Sequence, residues 1–258
     1  MSRLHIATSG FSYKDWLGNF YPGNLSPSQM LAYYSSHFDA LELNVSYYTI
    51  PAQSSFAAMG SRVPGDFRFM VKVHREVTHN RNHPHESMRQ LIHNTQPLAG
   101  QGRLAGFLAQ FPFGFRNNFN NRRYLSNLKE MCEDIPLFIE FRHVSWAHPA
   151  VARYLSETGL GYVNVDEPDL KDLMPPQSLV TNGTAYIRFH GRNRESWWTG
   201  QGAQRYDYLY SEKELEAWLI QIKDILKKAD RAYVFFNNHP GGKAPKNAMW
   251  LKKMVKKM

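Results

Sequence analysis

The chain has 258 residues, of which 43% are hydrophobic, which is enough apolar material for one large α/β domain or two small ones. This share excludes a disordered chain, and the single cysteine, Cys132, excludes a disulfide-stabilised scaffold. The formal charge of +9 favours polyanionic partners such as nucleic acid or phosphorylated metabolites, although it also suits a solvated basic surface.

The sequence shows no pattern for membrane insertion or secretion. No stretch approaches the ~20 apolar residues of a membrane-spanning helix. Residues 1–10 lack the apolar segment of a secretory signal peptide. We therefore expect a cytoplasmic protein without a membrane partner, and the lone thiol agrees with a reducing compartment.

Eight short apolar runs recur along the chain, and most of the stretches between them have a helical pattern. The runs are rich in β-branched or aromatic residues, which is typical of parallel strands buried on both faces. They span residues 4–7, 40–43, 67–73, 104–111, 137–141, 161–165, 184–189 and 232–236.

Capping residues mark several of the predicted helices. Ser211 and Glu214 form a capping-box pattern, and Pro27 suits the first turn of a helix capped by Ser26. Residues 170–178 are polar and interrupted by prolines, so we expect no regular helix between the sixth and seventh strands. The predicted helices span residues 27–37, 87–98, 124–131, 149–158, 211–228 and 245–258.

This alternation predicts an α/β fold, a (β/α)8 TIM barrel that forms one domain over residues 1–258. A doubly wound open sheet is the alternative, with its ligand at a topological switch point. No GxGxxG or GxxxxGK[ST] motif follows any predicted strand, which weakens a nucleotide-binding version of that alternative.

Polar residues stand at the carboxyl ends of seven predicted strands, where barrel enzymes place their catalytic groups. Side chains two apart in a strand share a face, so several polar pairs should project together while Leu43, Phe141, Val165 and Phe189 face the helices. The pairs are Glu42 with Asn44, Glu140 with Arg142, Asn164 with Asp166, and Arg188 with His190.

A purely structural interpretation of these residues is a plug of two ion pairs, Glu140 with Arg142 and Asp166 with Arg188. Such pairing would offset the cost of burying polar groups there. The convergence of seven strand ends on one rim instead favours a functional site.

The charged residues at this rim indicate chemistry on an anion. Arginine binds a phosphate or a carboxylate bidentately, and a nearby acid can transfer a proton. We assign the acid or base role to Glu140, with His190, Asp166 and Glu42 as further catalytic candidates. The predicted substrate-binding residues are Lys72, Arg142, Arg188, Asn44, Gln110, His143, Asn237, Asn238, Tyr47 and Trp197.

No cofactor is predicted, and a divalent metal is the weaker alternative. Glu42, Asp166, His190 and His239 could supply ligands, but three nearby cations would repel the ion. A retaining glycosidase would need two carboxylates ~5–5.5 Å apart, and Glu42 and Glu140 lie on distant strands. The histidines of residues 79–85 match no zinc spacing, which favours a mobile polar loop.

Residues 192–210, after the seventh strand, interleave arginines with aromatic side chains. This composition can stack bases and follow phosphates, cover a small ligand as a lid, or pack on the barrel. Tyr47 and Tyr48 could extend the same aromatic wall. The residues concerned are Arg192, Arg194, Trp197, Trp198, Arg205, Tyr206, Tyr208 and Tyr210.

The ordered motifs of the chain resemble the YecE-like family of domains of unknown function, which are (β/α)8 barrels. The resemblance spans nearly the whole chain, and Phe11 and Phe113 depart from the family pattern at positions without chemistry. It implies the fold and no settled activity, and the likeness to endonuclease IV is a fold-level analogy. Its most specific motif is Glu140, Phe141, Arg142 and His143 followed by Ser145 and Trp146.

Three functions follow from these patterns. The first is an enzyme that acts on a phosphate-bearing or otherwise anionic substrate at the barrel rim, a hydrolase or a lyase. The second is a nucleic-acid binding or processing protein, suggested by the net charge, the lysine-rich residues 243–257 and residues 192–210. The third is a non-catalytic barrel that binds a small ligand.

Overall fold

Eight parallel strands form the centre of the computed structural model, which describes residues 3–257, Arg3 by its backbone alone. The strand order is β1-β8-β7-β6-β5-β4-β3-β2, so each strand lies beside its neighbour in sequence. The strands are β1 (Arg3–Thr8), β2 (Ala40–Leu43), β3 (Arg68–Lys72), β4 (Leu104–Gln110), β5 (Leu137–Glu140), β6 (Gly161–Asp166), β7 (Thr184–Phe189) and β8 (Arg231–Phe236).

The sheet closes on itself between its first and second strands. Ser9 and Glu42 form a single parallel bridge beyond β1, and the Gly10 amide donates to the Glu42 carbonyl at 2.8 Å. The bridge lies at the carboxyl ends of the strands. The predicted (β/α)8 barrel is therefore confirmed.

Helices alternate with the strands, and they agree with the predicted ones apart from their ends and one omission. Ser211 and Glu214 form the predicted capping box, and residues 167–183 contain no helix. No helix within residues 3–257 is long and apolar enough to cross a membrane. The helices are α1 (Met30–Ser35), α2 (Gln53–Ser61), α3 (Pro84–Gly100), α4 (Phe119–Cys132), α5 (Pro149–Glu157), α6 (Glu212–Leu226) and α7 (Lys243–Lys256).

Helix α2 was not predicted from the sequence, and the composition of the helix explains why. Ala52 precedes the helix and offers no side chain to cap it. Only Phe56 and Gly60 of the helix are buried, so the apolar periodicity that identifies a helix is almost absent. The predicted C-terminal helix runs to Lys256 as α7, and its last predicted residue, Met258, lies outside the described residues.

Aromatic side chains fill the barrel interior below its carboxyl-end rim. Phe138 lies 5.1 Å from Tyr186, and Tyr186 lies 5.4 Å from Phe235, measured between ring centres. All three are fully buried. The Tyr186 hydroxyl donates to Glu42 Oε2 at 2.5 Å, so this apolar layer ends directly beneath the charged groups of the rim.

Candidate functional site

Arg188, on β7, organises a buried charged cluster inside the barrel. Its Nε and Nη2 donate to the two carboxylate oxygens of Glu42 at 2.8 and 2.6 Å, and its Nη1 donates to Glu140 Oε2 at 2.5 Å. Arg188 is 1% exposed and both acids are fully buried. Strands β2, β5 and β7 are thus tied together by one guanidinium.

Arg142 continues this cluster toward the rim. Its Nη2 lies 2.6 Å from Glu140 Oε1, and its Nη1 donates to Glu167 Oε2 at 2.7 Å. Burial raises the pKa of Glu167 to about 7, although Arg142 opposes the shift. The predicted pair of Glu140 with Arg142 is confirmed, and Glu167 is a partner that the sequence analysis did not select.

His190 lies beside the two arginines and is neutral at physiological pH. Asn237 Nδ2 lies 3.1 Å from His190 Nδ1, and His190 Nε2 lies 3.1 Å from both Arg142 Nη2 and Glu140 Oε1. Burial and the charge of Arg142 lower the pKa of His190 to about 3. His190 is therefore held between Asn237, Arg142 and Glu140 and is not a proton donor poised near neutrality.

Glu140 lies beneath the rim as a permanent anion. Burial disfavours its charge, but the guanidinium groups of Arg142 and Arg188 outweigh burial and hold its pKa well below the usual range. Its two oxygens contact both arginines, and it lines neither cavity at the rim. These contacts suit a carboxylate that holds Arg142 and Arg188 in position.

Two adjoining cavities of about 310 and 410 Å³ open above this cluster. We call them together the mouth. Their size is that of a small-molecule site. The side chains that line both cavities are Tyr47, Tyr48, Lys72, Gln110, Arg142 and Tyr206.

Lys72, like Arg205, is a cation of the mouth without an acidic partner among residues 3–257. Its Nζ donates to Gln110 Oε1 at 2.9 Å and lies 4.5 Å from the ring centre of Tyr47. Within residues 3–257 it forms no ion pair, whereas Arg142 and Arg188 each contact two carboxylates. Burial and the repulsion of Arg188 lower the pKa of Lys72 to about 7, although Glu140 and Glu42 act in the opposite direction.

Residues 192–210 divide into an anchoring part and a wall of the mouth. Arg192 pairs with Asp166 and Glu214, and Tyr208 donates to Glu214, so these side chains hold the loop to the barrel. Tyr210 is buried against Asp166, and four other side chains of the segment line the cavities. The buried Trp197 ring lies 5.7 Å from the Arg142 guanidinium. The wall residues are Trp197, Trp198, Arg205 and Tyr206.

Asp166 does not face the mouth, and the prediction that it pairs with Arg188 is wrong. It accepts from Trp218 Nε1 and the Tyr210 hydroxyl at 2.6 Å each, and from Arg192. In the register of β6 with β7, Val165 rather than Asp166 pairs with Arg188. Asn164 and Asp166 therefore share a face as predicted, but that face packs on the helices.

The remaining predicted binding residues are distributed inside and outside the mouth. Asn44, Asn237 and Gln110 line it. His143 lies outside both cavities and accepts from the Ser145 amide, and Asn238 is buried against Tyr208 and Asn247. These two predicted binding residues are thus held in local structure away from the mouth.

His79 and Glu167 are site residues that the sequence analysis missed. Residues 76–80, which overlap the start of the polar loop predicted at 79–85, form a π-helical turn that puts the His79 ring 5.1 Å from that of Tyr47. Burial and Lys72 lower the pKa of His79 to about 4. Strand alternation would have selected Glu167 only if Asp166 had been assigned to the helix side of β6, since adjacent residues face opposite sides.

The Asn44 side chain adds an unused polar atom to the mouth. Its Oδ1 is buried and has no hydrogen-bond partner in the described part of the chain. A buried acceptor without a donor is costly, so this atom is available to a ligand. No cluster of three or more His, Cys, Asp or Glu side chains within residues 3–257 is arranged to hold a metal ion.

Comparison with known proteins gives the family of this chain. Residues 5–258 match the model of the protein family of unknown function DUF72. The UPF0759 protein YunF of Bacillus subtilis is 30% identical over 95% of this chain and 92% of its own length.

Solved structures show the same relationship in three dimensions. A DUF72 family protein from Thermotoga maritima is 41% identical and superposes with a TM-score of 0.92 over 98% of this chain and 99% of that one. A DUF72 family protein from Enterococcus faecalis is 28% identical, with a TM-score of 0.87 over 99% and 96% of the two chains. The chain belongs to the DUF72 family.

Proposed function

We propose that this protein is an enzyme that binds a small anionic substrate in the mouth of its barrel. The observation that carries the proposal is the charge distribution. Glu42, Glu140 and Glu167 all contact Arg142 or Arg188, while Lys72 faces the cavities with a neutral amide as its partner. A phosphate or carboxylate ligand would give the Lys72 ammonium the direct anionic contact that it lacks among residues 3–257.

In this proposal Lys72, and not Glu140, is also the acid or base that exchanges a proton with the substrate. A pKa of about 7 lets an amine both donate and accept a proton near neutral pH. The pKa of Glu140 lies well below the usual range, so Glu140 does not exchange protons near neutral pH. We propose instead that Glu140 and Glu42 position Arg142 and Arg188. The catalytic role first assigned to Glu140 thus becomes a positioning role.

Replacing Lys72 by methionine tests the anion site directly. The variant should bind inorganic phosphate or oxalate about 10–100-fold more weakly, because a hydrogen bond to a charged group contributes about 1.5–3 kcal/mol. Isothermal calorimetry or NMR titration measures the affinity. The matched control is Lys252→Met, since Lys252 is partly buried near Leu4 and Asp39 at the opposite end of the barrel. Equal affinities for wild type and Lys72→Met would contradict the proposal.

Binding of single-stranded nucleic acid is the second candidate function. It rests on two exposed aromatic rings at the mouth, Tyr48 at 68% and Trp198 at 52% exposure, beside Arg205. Such rings can stack on bases, and each stacked base contributes about 1–3 kcal/mol.

A salt titration distinguishes this candidate. Affinity for a labelled single-stranded oligonucleotide should fall linearly with salt on a double-logarithmic scale, and Trp198→Ala should weaken it by about 1–3 kcal/mol. Ile220→Ala is the control, because Ile220 is 68% exposed on α6, away from the mouth. An affinity that does not change with salt concentration, or that is the same in Trp198→Ala as in wild type, would exclude this function.

A further inference from the structure

We propose that Lys72 is a nucleophile that forms an imine with the carbonyl carbon of a small substrate carrying a carboxylate or phosphate. The proposal names the substrate class of the mouth and rests on the function proposed above. It assigns a covalent step to a residue whose surroundings differ from those of every other charged group in the site.

The contacts of Lys72 favour a free amine. A carboxylate partner would keep an ammonium protonated, and within residues 3–257 Lys72 has none. Its partner, Gln110 Oε1, is a neutral acceptor that needs only one N–H, so it orients Nζ without requiring the positive charge. The Tyr47 ring, 4.5 Å from Nζ, opposes this preference, because the face of an aromatic ring attracts the ammonium form.

Burial and the neighbouring arginines favour the free amine of Lys72 more than the nearby acids oppose it. Burial and the Arg188 guanidinium lower its pKa from 10.5 to about 7, with Glu140 and Glu42 opposing. A substantial fraction of the amine is therefore unprotonated at neutral pH, which is the form that attacks carbonyl carbon. Lowering of a lysine pKa by burial and neighbouring cations is a known way to activate this nucleophile.

The mouth can also hold the anionic end of such a substrate. Arg142 and Arg205 line the same cavity as Lys72, and that cavity has a volume of about 310 Å³. A substrate that places its carboxylate or phosphate beside these guanidinium groups would have its carbonyl carbon within the same small space as Nζ. Arginine suits this part because it binds either anion bidentately.

The step balances without a further reagent. The Lys72 amine lone pair forms a bond to the carbonyl carbon, and the carbonyl π pair moves to oxygen to give a carbinolamine. The two amine protons leave with that oxygen as one water molecule, and a C=N bond remains. A proton from solvent then converts the imine to an iminium, which can accept electrons from an adjacent C–C or C–H bond.

Borohydride trapping tests the proposal. The protein is incubated with pyruvate or with pyridoxal 5′-phosphate as probes, reduced with borohydride and digested for mass spectrometry. We expect Lys72 to gain the mass of the probe acid less one oxygen before the exposed lysines do. Lys72→Arg keeps the charge and should lose this label, while the matched control Lys252→Arg should keep it.

The pH dependence of labelling is a second readout. Labelling of Lys72 should rise with pH and level off near 7, whereas exposed lysines continue to gain reactivity up to their ordinary pKa of about 10.4. The charged or titratable groups that face Lys72 are Glu42, Tyr47, His79, Glu140, Arg142 and Arg188. His79, whose pKa is lowered to about 4, is already neutral across this range.

The outcomes separate this proposal from the function on which it rests. If neither probe labels Lys72 faster than Lys252 while inorganic phosphate still binds the mouth, the covalent step is wrong and the anion site stands. If neither labelling nor phosphate binding occurs, the anion site itself is wrong. Label that persists undiminished on the Lys72→Arg protein would also overturn the proposal.

Discussion

Substituting Glu140 by glutamine should lower the free energy of unfolding by about 3–5 kcal/mol, because it leaves buried arginines without a full set of counter-ions. Arg188 is 1% exposed, and Arg142 and Arg188 both contact Glu140 within 2.6 Å. The substitution keeps the shape of the side chain and removes only its charge. Urea denaturation followed by circular dichroism measures the effect.

The pH dependence of this loss is a check on its electrostatic origin. The pKa of Glu140 in the folded protein lies well below its ordinary value of 4.5. The carboxylate therefore stabilises the wild type above that ordinary value, and the contribution is lost as pH falls through the folded pKa. Glu130→Gln, at an exposed position of α4, serves as control. A stability difference that stayed constant down to strongly acidic pH would show that packing, rather than charge, is responsible.

Replacing Asp166 by asparagine should lower the free energy of unfolding by about 3 kcal/mol, because hydrogen bonds to a charged group contribute about 1.5–3 kcal/mol each. Asp166 is 1% exposed and accepts from Trp218, Tyr210 and Arg192. An amide nitrogen in place of one carboxylate oxygen would face one of these donors. Phosphate affinity at the mouth should stay unchanged, since Asp166 lies on the helix side of β6.

The same two measurements distinguish a structural from a catalytic Asp166. Asp224→Asn on the same helix as Trp218 is the control, because Asp224 is exposed and pairs only with its neighbour Lys227. A variant that folds with wild-type stability but loses the anion site would support the catalytic role predicted from the sequence.

The fold could be predicted because its strands are short, apolar and separated by capped helices. These patterns are local in sequence, so they can be recognised without knowledge of tertiary contacts. Helix α2 escaped prediction since it has neither a capping side chain nor a broad apolar face. Its place in the barrel is set by the strands on either side of it.

The site could be predicted in part, and the errors have one physical origin. The pairs on β2, β5 and β7 alternate as expected, so Glu42, Glu140 and Arg188 meet inside the barrel. On β6 the alternation was assigned to the wrong face. Asp166 is satisfied by donors from α6 and from the loop after β7, and partners this distant in sequence leave no local pattern.

The division of charge between Lys72 and the arginines was also beyond the sequence. In the sequence, Lys72, Arg142 and Arg188 are all basic residues at strand ends, and nothing distinguishes one from another. They differ in their contacts, because Glu42, Glu140 and Glu167 all lie against the two arginines while Lys72 contacts an amide. Counting partners in three dimensions therefore changed which residue carries the proposed chemistry.

Glu42 takes part both in the closure of the barrel and in the buried charged cluster. Its backbone forms the bridge with Ser9 that joins β2 to the segment after β1, and its carboxylate accepts hydrogen bonds from Arg188. Since β1 also pairs with β8, the ring of strands is complete only when the last strand lies between β1 and β7. We expect a truncated chain that lacks β8 to leave β1, and with it the seam at Glu42, without the support of a neighbouring strand.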